Sequence, residues 1–143
     1  MLLVEDPAVD LATPSGPMRT YVYRPLPAKG TVASTERYPG VLLYSEIFQR
    51  TPPIHRMAQM IAGNGFLVVV PEIFHELEPA GTVLGYDQAG ADAGNRHKKE
   101  KPIGAFDSDA PTPFLGHFVA TLARGGRRAS TLHTIPGVSA RSI

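Results

Sequence analysis

The 143-residue chain contains no cysteine. That absence excludes a disulfide scaffold, a zinc site built on cysteine and a thiol nucleophile. No apolar run approaches the roughly 18 residues that a transmembrane helix needs, so no membrane span is expected. The first ten residues hold Glu5, Asp6 and Asp10 and no basic segment, which argues against a signal peptide and makes the cytoplasm the expected location. A formal net charge of +1 leaves no basic footprint over the first hundred residues, so neither nucleic acid nor a membrane is an expected partner. Acids also run out. All 13 lie at or before Asp109, and the last 34 positions hold none while carrying Arg124, Arg127, Arg128 and Arg141.

Several catalytic signatures are missing too. No G-x-S-x-G or G-x-C-x-G string occurs, and Gly137-Val138-Ser139-Ala140-Arg141 lacks the closing glycine that a nucleophile elbow requires. Neither a dinucleotide-binding glycine pattern nor a P-loop is present, and no histidines have zincin spacing. No cofactor and no metal are expected.

What remains is ordinary globular material, 43% hydrophobic, long enough for one compact domain. Thr13-Pro14-Ser15-Gly16-Pro17 is turn chemistry. Residues 18–24 then alternate, Met18, Thr20 and Val22 against Arg19, Tyr21 and Tyr23, and period two predicts a strand with one wet face. Residues 25–39 read as a loop. The run Val41-Leu42-Leu43-Tyr44 predicts a strand buried on both faces, as parallel sheets require. Thr51 and Pro52 open a helix to Gly63, with Ile54, Met57, Ala58 and Ile61 on its apolar face and His55, Arg56 and Gln59 outward. Residues 66–70 form a second apolar strand, ended by Pro71. Strand, helix, strand in about 30 residues is a βαβ unit, so the class is α/β with a mainly parallel sheet. Beyond it, Gly81, Gly85, Gly90 and Gly94 divide residues 71–101 into turns, with one short helix near 87–99. A further helix is expected to start at Asp107 or Ser108 and run through Leu122.

Two strand ends carry candidate chemistry. Glu46 follows the first buried strand and sits where parallel sheets place ligands, as a general base, a partner for a nucleophile or a solvated acid. Pro71-Glu72-Ile73-Phe74-His75 repeats that layout. The His75 imidazole can act as a base near neutrality, although an isolated histidine is more often structural. His55 and His133 receive no role, and Arg96-His97-Lys98-Lys99 reads as solvated surface.

Four segments in fixed order carry a resemblance: Gly16-Pro17-Met18-Arg19-Thr20-Tyr21; Tyr38-Pro39-Gly40-Val41 with Ser45-Glu46-Ile47-Phe48; the stretch from Gly65 through Ile73; and Glu78-Pro79-Ala80-Gly81. Together they resemble the dienelactone hydrolase (carboxymethylenebutenolidase) family over residues 11–109. The resemblance implies an α/β-hydrolase fold, a Cys or Ser, Asp, His triad, and an ester or lactone as small-molecule substrate. It implies that Glu46 matches the glutamate contacting the resting nucleophile, and that the Ile47 backbone N–H matches one of two oxyanion donors. The family's nucleophile, acid and histidine come later in the chain, and nothing here matches them. Phe74 stands where many relatives have tyrosine.

The sequence therefore predicts an incomplete α/β-hydrolase domain over residues 1–123 and an atypical tail over 124–143. The tail's Arg, Gly, Ser and Thr content buries little core. Its abrupt loss of acids is what out-of-frame translation of a G+C-rich gene produces; a genuine basic tail is the alternative. Hydrolysis by this chain alone is not expected. A non-catalytic binding module and an esterase that borrows its nucleophile from a second chain are the competing readings.

Overall fold

The computed structural model describes residues 4–13, 15–26 and 38–101. Five strands, β1 (Val4–Glu5), β2 (Ala8–Thr13), β3 (Gly16–Pro25), β4 (Gly40–Leu42) and β5 (Leu67–Pro71), form one sheet, and two helices follow β4 and β5: α1 (Pro52–Gly63) and α2 (Gln88–Glu100). The helix expected over 107–122, the tail from 124 and most of the 25–39 loop lie outside the described residues.

The sheet is mixed, which corrects the expectation of a mainly parallel one. Among the described residues only β4 and β5 run parallel, with Val41 opposite Val68. On its other edge β5 meets β3 antiparallel, Thr20 facing Pro71 and Tyr23 facing Val68. Along its far edge β3 pairs antiparallel with β2 and, further on, with β1. The physical cause lies in the N-terminal residues. The β2–β3 hairpin closes on Gly16 at φ +116°, a conformation that glycine adopts without a Cβ clash. A tight hairpin forces antiparallel pairing. The alternation over residues 18–24 was itself the mark of an antiparallel strand, and one βαβ unit does not set the direction of strands outside it.

Side chains of β5 divide between the two faces. Leu67 and Val69 join Val9, Leu11, Met18 and Val22 in one cluster, whereas Val68 and Val70 join Tyr23, Ile54, Ala58 and Ala62 in the other. Helix α1 covers the second face, so Tyr23 is fully buried on the side of β3 expected to be wet. Strand β4 differs from expectation in the opposite sense. It is an edge strand among the described residues; Val41, Leu42 and Leu43 are half-buried and Tyr44 is exposed.

The helix starts at the expected cap, Thr51, with Pro52 in its first turn, but its buried face is rotated. Ile54, Ala58, Ala62 and Gly63 are buried, Ile61 is half-buried, and Met57 is 44% exposed. Only small residues at 58 and 62 let the helix approach the flat, β-branched surface of Val68 and Val70. Ala58→Asp should therefore destabilise the fold by about 3 kcal/mol or more through a buried, unpaired charge. Met57→Asp should cost under about 1 kcal/mol, as exposed substitutions do. Urea midpoints for the two variants check the rotation directly, and equal losses would contradict it.

Candidate active site at the carboxyl ends of β4 and β5

The parallel pair brings the loops after β4 and β5 out at one end of the sheet, and the antiparallel β3 brings its own start there. The Glu72 N–H continues the ladder by donating to the Arg19 carbonyl at 2.9 Å. Four segments thus converge: the 44–51 loop, the 72–87 loop, the β2–β3 hairpin tip and α2.

The first loop is a tight turn. The Gln49 N–H donates to the Glu46 carbonyl at 3.1 Å, and Gln49 adopts φ +66°, a left-handed geometry that a residue with a Cβ adopts only under constraint. The constraint is its buried side chain. Gln49 Nε2 donates to the Thr82 carbonyl at 3.0 Å, and its Oε1 accepts from the Phe74 N–H at 3.4 Å. The Leu84 N–H reaches the Phe48 carbonyl at 3.1 Å, and the rings of Phe48 and Tyr86 meet edge-on at 4.7 Å. The Tyr86 hydroxyl then donates to Thr51 Oγ1 at 2.7 Å, so the two loops form one wall.

Glu46 is exposed and Ile47 is half-buried. Among the described residues no backbone carbonyl accepts from the Ile47 N–H. The Ser45 hydroxyl beside them is buried and unpartnered in the same set. Helix α2 holds this stretch from outside. A Cβ at Gly94 would lie 2.7 Å from the Ile47 carbonyl oxygen and 2.9 Å from its Cβ. Gly90 packs likewise on the backbone of Gly85. Gly90 and Gly94, two of the four glycines expected to divide this region into turns, instead lie inside the 13-residue helix, close to the short helix expected near 87–99. Close packing, with Asp87 capping the Gly90 N–H at 2.7 Å, outweighs their poor helix propensity of ~1 kcal/mol each.

Glu72 is the buried carboxylate of the site. It accepts from the Tyr21 hydroxyl at 2.8 Å, and both its oxygens face the Gly81 N–H, at 2.9 and 3.2 Å. Burial raises its pKa above the ordinary carboxylate value, against the pull of those donors. Burial and the bond to Glu72 in turn push the Tyr21 phenol up to about 12. Arg50 lies over the Tyr21 ring at 4.0 Å, donates to the Tyr23 hydroxyl at 2.6 Å and pairs with Asp6 at 3.0 Å. His55, expected to face solvent, closes this group. Its Nδ1 lies 2.8 Å from the Tyr23 hydroxyl and 2.7 Å from Arg50. His97, expected on a solvated face, is buried against the Phe74 ring with Nε2 2.7 Å from Glu78.

Sequence reasoning singled out Glu46, Ile47 and the strand end at 71–75, and the structure places all three at this end of the sheet. Sequence reasoning missed Gln49, Tyr21 and the pairing of His97, because each acts through a partner 19 to 51 residues away and helical or strand periodicity carries no such signal. Among the described residues no three His, Asp or Glu side chains converge to hold a metal ion, and no helix is long and apolar enough to cross a membrane.

Two outcomes follow. Gly94→Ala gains helix propensity yet should still destabilise, by ~1–3 kcal/mol, because the new methyl group meets backbone; Asn95→Ala, on the exposed face, should not. Paired thermal melts read the sign. The second concerns pH. Burial and Arg50 lower the His55 pKa below its ordinary 6.5, with Asp6 opposing. The unfolded chain therefore takes up a proton before the folded one as pH falls through 6.5, and stability should drop from there downward. His55→Gln should show a shallower fall in urea midpoint between about pH 6.5 and 5.5, whereas an unchanged slope would remove His55 as the cause.

No family model matches the sequence. A protein of Saccharomyces cerevisiae named "Putative carboxymethylenebutenolidase" is 40% identical over 109 residues, which make up 76% of this chain and 38% of that protein. Among solved structures, a "Putative Dienelactone Hydrolase" from Klebsiella pneumoniae matches at 22% identity and a TM-score of 0.44, over 53% of this chain and 29% of the other. The chain spans 38% of the length of its yeast relative. A matched stretch of 109 residues in a chain of 143 necessarily includes positions 35–109, and so it contains β4, the Glu46–Ile47 loop, α1, β5 and α2. Over these residues the chain is a homologue of that putative carboxymethylenebutenolidase.

Proposed function

We propose that this chain supplies one half of an ester- or lactone-hydrolysing site on the N-terminal part of an α/β-hydrolase domain. In this reading the Ile47 N–H stabilises negative charge on an acyl oxygen. One such preorganised donor contributes ~2.7–4 kcal/mol to the transition state. Glu46 holds and activates a nucleophile carried by a part of the domain that these residues do not include. The observation that carries the reading is the 40% identity across a stretch containing Ser45-Glu46-Ile47-Phe48. The geometry supports it, because α2 and Gln49 hold the loop rigidly while the Glu46 carboxylate stays exposed. Residues 1–123 belong to the hydrolase domain in this proposal, and 124–143 form a separate tail. Small esters or lactones are the substrate class.

Because the chain has no cysteine and no nucleophile elbow, steady-state turnover of dienelactone or 4-nitrophenyl acetate by the purified protein should equal that of a control protein. Saturable turnover that survives repurification and falls with Glu46→Gln would refute the division of the site. A chimera joining residues 1–101 to the remaining C-terminal part of the yeast relative tests the positive half. It should hydrolyse 4-nitrophenyl acetate, and Glu46→Gln should lower kcat/KM by ~10-fold or more. A second reading, a non-catalytic interaction module, rests on β4 lying at the sheet edge among the described residues, since edge strands recruit partners. An inactive chimera whose parent chain self-associates through β4 would favour it.

A further inference from the structure

The hairpin tip at this end of the sheet brings together a second set of reactive groups, separate from the Glu46–Ile47 loop. Ser15 is exposed on the turn that Gly16 closes. Its Oγ lies 3.1 Å from His75 Nε2 and 3.3 Å from Thr13 Oγ1. Thr13 Oγ1 donates its one proton to the Gly16 carbonyl at 2.5 Å and can therefore only accept from its other neighbours. The Ser15 hydroxyl can then donate to Thr13 Oγ1, to His75 Nε2 or to Glu76, whose carboxylate also bonds Ser15, and Thr13 Oγ1 itself lies 3.4 Å from the same Nε2. The imidazole itself is almost entirely buried, with a side-chain exposure of 2%, and Glu76 Oε1 stands 3.7 Å from the same Nε2. Glu76 is in turn paired with Lys101.

We propose that Ser15 and His75 form a nucleophile–base pair that takes up acyl or phosphonyl groups from activated esters and halides. A nucleophile within hydrogen-bond reach of a base is the arrangement such chemistry needs. Burial is the main influence on the His75 pKa and lowers it, with Glu76 opposing and Lys101 adding to the effect, which favours the neutral ring. In the step itself Ser15 Oγ bonds to the carbonyl carbon or phosphorus, and the phenolate or fluoride leaves with its bonding pair. The hydroxyl proton passes to Nε2, where the Glu76 carboxylate stabilises the imidazolium before the proton goes to solvent.

Among the described residues His75 Nδ1 has no hydrogen-bond partner. No third group orients the ring as the acid of a triad does. The expected product is therefore a Ser15 ester that accumulates to one equivalent without turnover. That separates this site from the hydrolysis proposed above, which requires turnover and Glu46.

A fluorophosphonate probe on the full chain, read by intact mass and peptide mapping, tests the pair. One equivalent should be taken up, on Ser15, and Ser15→Ala should abolish it. His75→Gln should slow labelling by ~10-fold or more, and unfolding the wild-type chain in urea should slow it similarly, which guards against a misfolded variant. The rate should rise with pH to a plateau, with a midpoint below 6.5. Label on Ser45 or elsewhere, an unchanged rate in His75→Gln, or equal labelling of native and urea-unfolded chain would each overturn the proposal.

Discussion

Strand β5 is buried along its whole length, Leu67 through Pro71, and it binds two neighbours that run in opposite senses. Its backbone is saturated by β3 on one side and β4 on the other, while its alternating valines anchor both apolar clusters. Each consequence for the site starts from that sandwiching. Parallel pairing with β4 puts residues 44–51 and 72–87 at the same sheet end. Antiparallel pairing with β3 carries the 13–16 turn there as well, so histidine from one loop meets serine from a hairpin 60 residues earlier. A one-residue slip of β5 would exchange its inward faces and separate all of these groups.

Around that end the chain uses buried polar side chains to tie loops together. Gln49, Glu72, Thr51 and His97 are all buried, and each spans between two loops or between a loop and a helix. A buried polar group is costly unless bonded. Each of these is bonded through at least one polar atom, although His97 Nδ1 has no partner among the described residues, and their combined effect is to hold otherwise irregular backbone. The left-handed Gln49 is the clearest case, because its strained φ is tolerated only while its amide reaches Thr82 and Phe74. The exposed carboxylate of Glu46 sits three residues away, on backbone it did nothing to position.

Much of this was legible in advance. The βαβ unit, the N-cap at Thr51, the strand ends that bear Glu46 and His75, and a short helix after residue 87 each follow from local chemistry. Hydrophobic runs, turn residues and caps report on neighbours within a few positions. The family likeness also rests on contiguous strings such as Ser45-Glu46-Ile47-Phe48, which survive as words in the sequence. Strand direction did not follow, because an alternating strand and a continuous apolar strand can join one sheet in either sense.

By itself, then, the sequence determined the strands at 18–24, 41–44 and 66–70, the helix after Thr51 and the short helix after residue 87, the absence of a thiol nucleophile, and the family likeness of the matched stretch, but not β1 or β2. These depend on residue identity and short-range pattern. Only the tertiary structure decided which side of α1 faces the sheet, since Met57 and Ala62 are both compatible with a helical stripe and the flat valine surface selects the smaller. It decided also that Gly90 and Gly94 pack rather than break, that Tyr21 meets Glu72, and that His75 meets Ser15. Those outcomes depend on distances between residues far apart in the chain, which exist only after β5 has brought its neighbours together.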